Sequence, residues 1–352
     1  MKLSVVAGLT TNRRIAMRLV TISTIVLTLL LSSPGLCRER SSMPVSTYSI
    51  VARDPVTGEM GVAVQSHWFS VGSVVPWAQA GVGAVATQSF VDPAYGPLGL
   101  ELMRAGRSAP AALNALVSTD EDKAVRQVAM IDAEGRVAAH TGSRAIFAAG
   151  HHVGKQYSVQ ANLMEKPTVW PAMAKAFESA DGDLAERMLC ALEAAQAEGG
   201  DIRGRQSAAI VVVRAAATGK PWEDRLFDLR VEDHPNPVTE LRRLVRLQRA
   251  YLKLNEGDMW LTKKDFVKAI AAYKQATTIV PDEATNGEAA FWVGITLIND
   301  AKQVEEGIPY LQRAYRQDPH WAELIERLPA AGLLPDDKAL IDRLTDAMKK
   351  SR

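Results

Sequence analysis

The chain has 352 residues, and its 41 Lys and Arg residues almost balance its 40 Asp and Glu residues. This balance argues against a nucleic-acid-binding protein, which would carry a basic excess, and against an acidic, disordered chain. Two cysteines cannot build a disulfide scaffold, and the length suits one large domain or two ordinary ones.

The N-terminal segment is unlike the rest. Residues 1–37 contain no acidic residue and four basic ones: Lys2, Arg13, Arg14 and Arg18. The apolar run Leu19–Leu31 follows, and small residues come after it. This pattern predicts a secretory signal peptide over 1–37 and a linker over 38–46, because the run is short for a transmembrane span; an uncleaved anchor is the alternative. We therefore expect a periplasmic or secreted protein with no stable membrane span once the signal is removed.

The segment 47–236 alternates short β-like runs with turns and helical patterns. Thr47–Ala52 and Met60–Gln65 form one predicted hairpin, and Gln127–Asp132 and Arg136–His140 form another. Further strands are predicted at Gly81–Ser89, Gln206–Arg214 and Leu226–Val231, and helices at Tyr95–Met103, Ser108–Leu116 and Val169 to about Ala197. This order predicts an α+β protein with mainly antiparallel sheets rather than a βαβ repeat.

The segment 237–350 is predicted to be all helical. A first copy of tetratricopeptide-like (TPR-like) spacing comprises Gly257, Trp260, Ala269, Tyr273, Ala276 and Pro281. A second copy, with one extra residue and Gly307 at a helix contact, comprises Phe291, Gly294, Leu311, Ala314 and Pro319. The alternative is a plain helical bundle. Because two units are fewer than usually stand alone, we expect them to pack on the first domain or on a second copy, through a helix over Pro237–Leu254.

Seven blocks between about residues 46 and 245 carry a family resemblance. They are Thr47–Pro55, Gly61–Ser66, Ala80–Ser89, Asp92–Pro97, Arg126–Asp132, Gly200–Ala209 and Asp228–Pro235. In this order they resemble a bacterial and archaeal family known only as a domain of unknown function. That family is assigned to the N-terminal-nucleophile (Ntn) hydrolase superfamily, so the resemblance implies a four-layer αββα sandwich.

The resemblance also implies a nucleophile. Family members commonly start with Met-Thr, and the matching residue here is Thr47. Removal of everything before it would free an α-amine with a pKa of about 8, which could act as the base while the hydroxyl attacks an amide. Since Thr47 is internal in this sequence, the chemistry requires a cut between Ser46 and Thr47. Without that cut, Thr47 is an ordinary β-branched strand residue.

Several polar residues are candidate partners of Thr47. Ser66 ends the second strand of the first hairpin and should lie near Thr47, while the Asn162 amide could donate to an oxyanion. The predicted catalytic residues are thus Thr47, Ser66 and Asn162. The predicted substrate-binding residues are Gln65, His67, Asp201, Arg205 and Gln206. The alternatives are solvated strand ends for Gln65, Ser66 and His67, and an internal salt bridge for the group around Asp201.

Other classes of chemistry have no support in the sequence. It has neither a phosphate-binding glycine loop nor a G-x-S-x-G elbow, and His151-His152 lacks metal-ligand spacing. We therefore predict no cofactor, no metal and no nucleic-acid partner. The first hypothesis is an exported amidohydrolase acting on a small amide or peptide, with the repeats binding a protein partner, in a homo-oligomer. The competing hypothesis is a non-catalytic exported scaffold that acts through the repeats.

Overall fold

A computed structural model describes residues 47–350. The predicted signal peptide and linker lie outside the described residues. Within this range, no helix is long and apolar enough to cross a membrane.

The first part of the described chain forms two antiparallel sheets. One has six strands in the order β10-β9-β2-β1-β8-β7, and the other has four in the order β3-β4-β5-β6. The strands are β1 Thr47–Arg53, β2 Met60–Ser66, β3 Pro76–Gln79, β4 Gly83–Ser89, β5 Arg126–Asp132, β6 Val137–Thr141, β7 Gly150–Gly154, β8 Tyr157–Asn162, β9 Ser207–Val213 and β10 Arg225–Val231. Both predicted hairpins are confirmed.

The two sheets pack face to face through small aliphatic residues. Val51, Val62, Ala84 and Ala129 belong to one buried cluster drawn from both sheets. The alternate residues of the same strands point the other way, because successive side chains of a strand lie on opposite faces. The face that carries Ile50 therefore packs against helices, which cover the outside of the six-stranded sheet.

Four helices accompany the sheets. They are α1 Tyr95–Arg104, α2 Ala109–Thr119, α3 Val169–Ser179 and α4 Leu184–Ala197. The first two pack on the four-stranded sheet and the other two on the six-stranded sheet. The single helix predicted from Val169 to Ala197 is wrong: Gly182, at φ 105°, breaks it, and the Asp183 carboxylate caps α4 by accepting from the Glu186 N–H at 2.8 Å. The predicted α+β class with antiparallel sheets is confirmed.

The C-terminal helical region is also confirmed. Its helices are α5 Pro237–Thr262, α6 Phe266–Ile279, α7 Glu288–Asn299, α8 Val304–Gln317, α9 His320–Ile325 and α10 Lys338–Lys349. The predicted helix Pro237–Leu254 continues to Thr262, and its start packs on the six-stranded sheet through Leu241 and Val245. Further along α5, a Cβ on Gly257 would lie 2.2 Å from the Tyr273 ring, so the close contact of α5 with α6 requires glycine. The TPR assignment itself stays a prediction.

Candidate functional site

Thr47 is the first residue of β1, in the middle of the six-stranded sheet. It is fully buried, and its register partners are Ser66 on β2 and Asn162 on β8. The Thr47 hydroxyl donates to Ser66 Oγ at 3.3 Å. The fold thus brings the three predicted catalytic residues into one row across three neighbouring strands.

A network of buried amides and hydroxyls fills the space between the sheets at this end. Ser49 donates to Gln88 Oε1 at 2.6 Å and accepts from Gln160 Nε2 at 2.6 Å. Gln88 Nε2 in turn donates to the Thr47 carbonyl at 3.3 Å and to Gln127 Oε1 at 2.7 Å. All of these side chains are fully buried, so the network ties the start of β1 to the opposite sheet in a low-dielectric interior.

Gln127 determines which way the amides point. Its Nε2 donates to the carbonyls of Gly150 at 3.2 Å and Ala161 at 2.9 Å, and a carbonyl can only accept. Gln127 Oε1 must therefore face its other neighbours, where it accepts from Asn162 Nδ2 at 2.9 Å. The same Asn162 nitrogen lies 3.4 Å from the Thr47 carbonyl. Both donors of Asn162 are thus directed at Gln127 and Thr47, and the amide positions the Thr47 backbone.

Polar atoms without partners are concentrated at this end of the sheets. Seven buried side-chain polar atoms lack a hydrogen-bond partner among residues 47–350. Five of the seven are here: both amide atoms of Gln65, His67 Nδ1, Ser89 Oγ and Asn162 Oδ1. Ser89 also has a backbone φ of 71°, which is uncommon for a residue other than glycine. Because buried polar groups in folded proteins are nearly always satisfied, such a concentration marks a place where a ligand would bind.

Gln65 extends the site to the other face of the sheet, and His67 directly follows the end of β2. Gln65 pairs in register with Tyr48, whose hydroxyl donates to Gln196 Oε1 at 3.1 Å. Burial raises the pKa of Tyr48 far above its usual value; Arg205 lowers it slightly and Asp201 raises it further. Tyr48 is therefore a neutral donor rather than a base.

The loop 201–206 is mostly engaged in internal contacts. The Asp201 carboxylate is buried, accepts from the His67 N–H at 3.0 Å and forms an ion pair with Arg203 at 2.8 Å. Arg205 is exposed and donates to Asn236 Oδ1 at 2.9 Å, while the Gln206 carbonyl accepts from the His234 N–H at 2.8 Å. For Asp201 these contacts agree with the structural alternative, an internal salt bridge.

The sequence interpretation missed the amides of the opposite sheet. Gln88, Gln127 and Gln160 are each buried in a strand, two positions from another buried residue on the same face: Ala86, Ala129 and Ser158. This two-residue alternation in the strands was the sequence signal that could have placed the glutamines between the sheets. His151 and His152 are exposed residues of strand β7. Among the described residues, no group of three His, Cys, Asp or Glu side chains could hold a metal ion.

Comparison with known proteins identifies the family. Residues 47–241 match a family of unknown function, DUF1028, and the chain belongs to that family. Eleven chains of solved structures match. One is the crystal structure of protein SPO2555 from Silicibacter pomeroyi, assigned to the same family; it is 31% identical, with a TM-score of 0.51 over 57% of this chain and 88% of that chain. No curated protein matches the chain.

Proposed function

We propose that this DUF1028 member is an exported Ntn-type hydrolase that cleaves a small amide or peptide bond with Thr47 as its N-terminal nucleophile. The observation that carries the proposal is the concentration of buried, unpartnered polar atoms around the row that contains Thr47. In this reading the two face-to-face sheets with helices outside them are the Ntn sandwich, and the helical region is a TPR-like module that binds a protein partner.

The chemistry begins with a cut between Ser46 and Thr47, which frees the Thr47 α-amine. The Thr47 hydroxyl attacks the substrate carbonyl, and the amine takes the hydroxyl proton and passes it to the departing nitrogen. An acyl ester on Thr47 remains, and water hydrolyses it to a carboxylic acid and the free hydroxyl.

The surrounding residues have distinct roles in this mechanism. Gln88 and Asn162 hold the Thr47 carbonyl, so the nucleophile enters the reaction already oriented. Asn162 Oδ1, an acceptor with no partner in residues 47–350, is available to the N–H of the freed amine. Gln65, on the other face of the sheet from the Thr47 hydroxyl, offers one unpartnered donor and one unpartnered acceptor, which an amide group in a part of the substrate away from the scissile bond would satisfy together.

The first test is the N-terminus of the exported protein. After expression with its leader, intact mass and N-terminal sequencing should give a chain of 306 residues starting at Thr47 (352 − 46). A mature form that starts elsewhere under every condition would exclude the hydrolase and leave the non-catalytic scaffold reading.

The second test is the nucleophile itself. A chain released so that it starts at Thr47 should hydrolyse members of a fluorogenic amide panel, and Thr47→Ser should retain part of that activity. Thr47→Ala should lose it, while Thr285→Ala, at a buried threonine of the helical region, should not. Equal activity of the Thr47→Ala variant would refute the proposed role of Thr47.

A further inference from the structure

The helical region contains a cavity with acidic and aromatic walls. It has a volume of about 540 Å³ and lies between α5, α6, α7 and the loop at Gly332-Leu333. That volume is within the range of ligand sites. Three acidic residues line it, Asp258, Glu288 and Asp300, together with Trp292 and two tyrosines, and its lining includes no Lys, Arg or His. We call this cavity the acidic groove.

The acids of the groove differ from their neighbours in having no ion-pair partner within 4.0 Å among residues 47–350. Asp258 and Glu288 accept from the hydroxyls of Tyr273 and Tyr251, and Asp300 accepts from the Asn299 amide at 3.5 Å. An acid elsewhere on the same helix as Asp258 is paired, since Glu256 forms an ion pair with Lys253 at 2.7 Å. A tyrosine hydroxyl donates a hydrogen bond but carries no positive charge, so it does not replace a cationic partner.

The aromatic residues show the same contrast. Outside the groove, the Trp260 ring has Lys268 at 4.3 Å, and the Tyr310 ring has Arg313 at 5.4 Å. In the groove, Trp292 has an edge contact with Phe291, and no cation lies over its ring among the described residues. Tryptophan is the preferred ring for a cation, so the groove lacks the type of partner that its neighbours already have.

Asp300 adds an energetic reason for a cationic ligand. It is the C-cap of α7, at the helix end where the macrodipole is negative. Burial also raises its pKa, while Asn299 and Lys302 oppose that change. A bound cation would offset both the repulsion from the negative helix end and the cost of burying the ionised carboxylate. The described residues contain no group of three His, Cys, Asp or Glu side chains that could hold a metal ion, which favours an organic cation that reaches separate carboxylates.

We infer that the acidic groove binds a segment of basic peptide, with lysine or arginine side chains directed at Asp258, Glu288 and Asp300. The groove is a binding site additional to the proposed hydrolase site, and it does not depend on a free α-amine at Thr47. Peptide binding should therefore survive Thr47→Ala, so a failure of either proposal is recognisable separately.

The test uses the full chain and a fluorescently labelled, end-blocked peptide of alternating lysine and alanine. Fluorescence anisotropy should show saturable binding that weakens as salt rises from about 50 to about 500 mM, and a matched peptide with glutamate for lysine should not bind. The triple variant Asp258→Asn, Glu288→Gln, Asp300→Asn should lose at least about tenfold in affinity.

A second triple variant controls for net charge. Glu256→Gln, Asp265→Asn and Asp342→Asn remove three acids that are already paired with lysines of the same region. It should bind within about twofold of wild type, with circular dichroism confirming that both variants are folded. Equal losses in the two triple variants, equal binding of both peptides, or no binding would overturn the proposal. Spermidine displacing the peptide at equal ammonium concentration would overturn the peptide as occupant.

Discussion

The Thr47 site and the acidic groove differ in the charge, burial and hydrogen-bond partners of their polar groups. Around Thr47, uncharged amides and hydroxyls are fully buried and bonded to one another, and the backbone is held at several points. In the groove, charged carboxylates line an open cavity, and their close partners among the described residues are neutral: tyrosine hydroxyls for Asp258 and Glu288, and the Asn299 amide for Asp300. A neutral network can fix geometry without the cost of burying charge, whereas exposed charge attracts a ligand over a longer range. The first arrangement suits bond-breaking chemistry and the second suits capture of a partner.

The largest expected effect comes from breaking the neutral network at Gln127. Replacement by Leu leaves the carbonyls of Gly150 and Ala161 without that donor, and removes the acceptor of Gln88 and Asn162. Since each buried group left unpaired costs about 1–3 kcal/mol, we expect a loss of at least about 3 kcal/mol in the free energy of unfolding. Urea denaturation would measure it.

A glutamine in the same sheet provides the control. Gln79 on β3 is partly exposed, and its side chain accepts from Arg104. Gln79→Leu should therefore cost less than about 1 kcal/mol. Similar losses for the two leucine variants would show that the network does not stabilise the fold as argued.

A smaller effect should follow from Gly257→Ala, which perturbs the groove instead. The added Cβ would lie 2.2 Å from the Tyr273 ring, whose hydroxyl contacts Asp258. Overpacking costs about 1–3 kcal/mol, while replacing glycine by alanine in a helix stabilises it by up to about 1 kcal/mol. We therefore expect the free energy of unfolding to fall by about 1–2 kcal/mol. Peptide binding should also become weaker. Thermal denaturation and the peptide assay would measure the two effects.

Gly294→Ala is the matched helical control. Its Cβ would lie 2.7 Å from Leu311 Cδ2 and 3.1 Å from the Gly307 carbonyl oxygen, so it would not meet an aromatic ring. It should cost less than Gly257→Ala, and hydrolysis at Thr47 should be unchanged in both variants. A larger loss at Gly294 would contradict the proposed importance of the ring contact.

Of the two strand pairings that place partners beside Thr47, the sequence predicts the one with Ser66 but not the one with Asn162. The local hairpin brings Ser66 opposite Thr47, because a turn and the alternation of apolar residues set its register. The pairing with Asn162 depends on β8, a strand that the sequence analysis did not predict. β8 pairs with β1 across a separation of 115 residues, and its hairpin partner β7 has two exposed histidines and few apolar residues. Local pattern has no information on such a long-range pairing.

The lack of ion-pair partners in the acidic groove could not be predicted from the sequence either. Each of Asp258, Glu288 and Asp300 is an ordinary acid in a helical pattern of mixed charge, where pairing with lysine or arginine is the usual outcome. Only the packing of α5 against α7 shows that they line one cavity without a cation. The helices themselves were predictable, because their apolar and small residues recur at helical spacing.

The smallest expected effects are pH-dependent changes in the free energy of unfolding. They should have opposite signs at a carboxylate without an ion-pair partner, Asp300, and at one paired with arginines, Glu186. Burial raises the pKa of Asp300, so the ionised carboxylate destabilises the fold, and this cost disappears as the pH falls towards its unfolded value of 3.8. Asp300→Asn should therefore stabilise the protein at neutral pH by less than about 1 kcal/mol, with a gain that vanishes in acid.

Glu186, which joins α4 to α5, should behave in the reverse way. Burial opposes ionisation of Glu186, but its contacts with Arg242 and Arg249 prevail and lower its pKa. Its stabilisation is therefore present above the unfolded value of 4.5 and is lost as the pH falls through the lower, folded-state pKa. Glu186→Gln should destabilise at neutral pH by about 1 kcal/mol at most and have little effect in strong acid. Urea titrations of both variants from about pH 7 to about pH 3 would measure this. The same sign of change in both would mean that the two carboxylates do not differ in having a cation partner, which is the basis of the acidic-groove proposal.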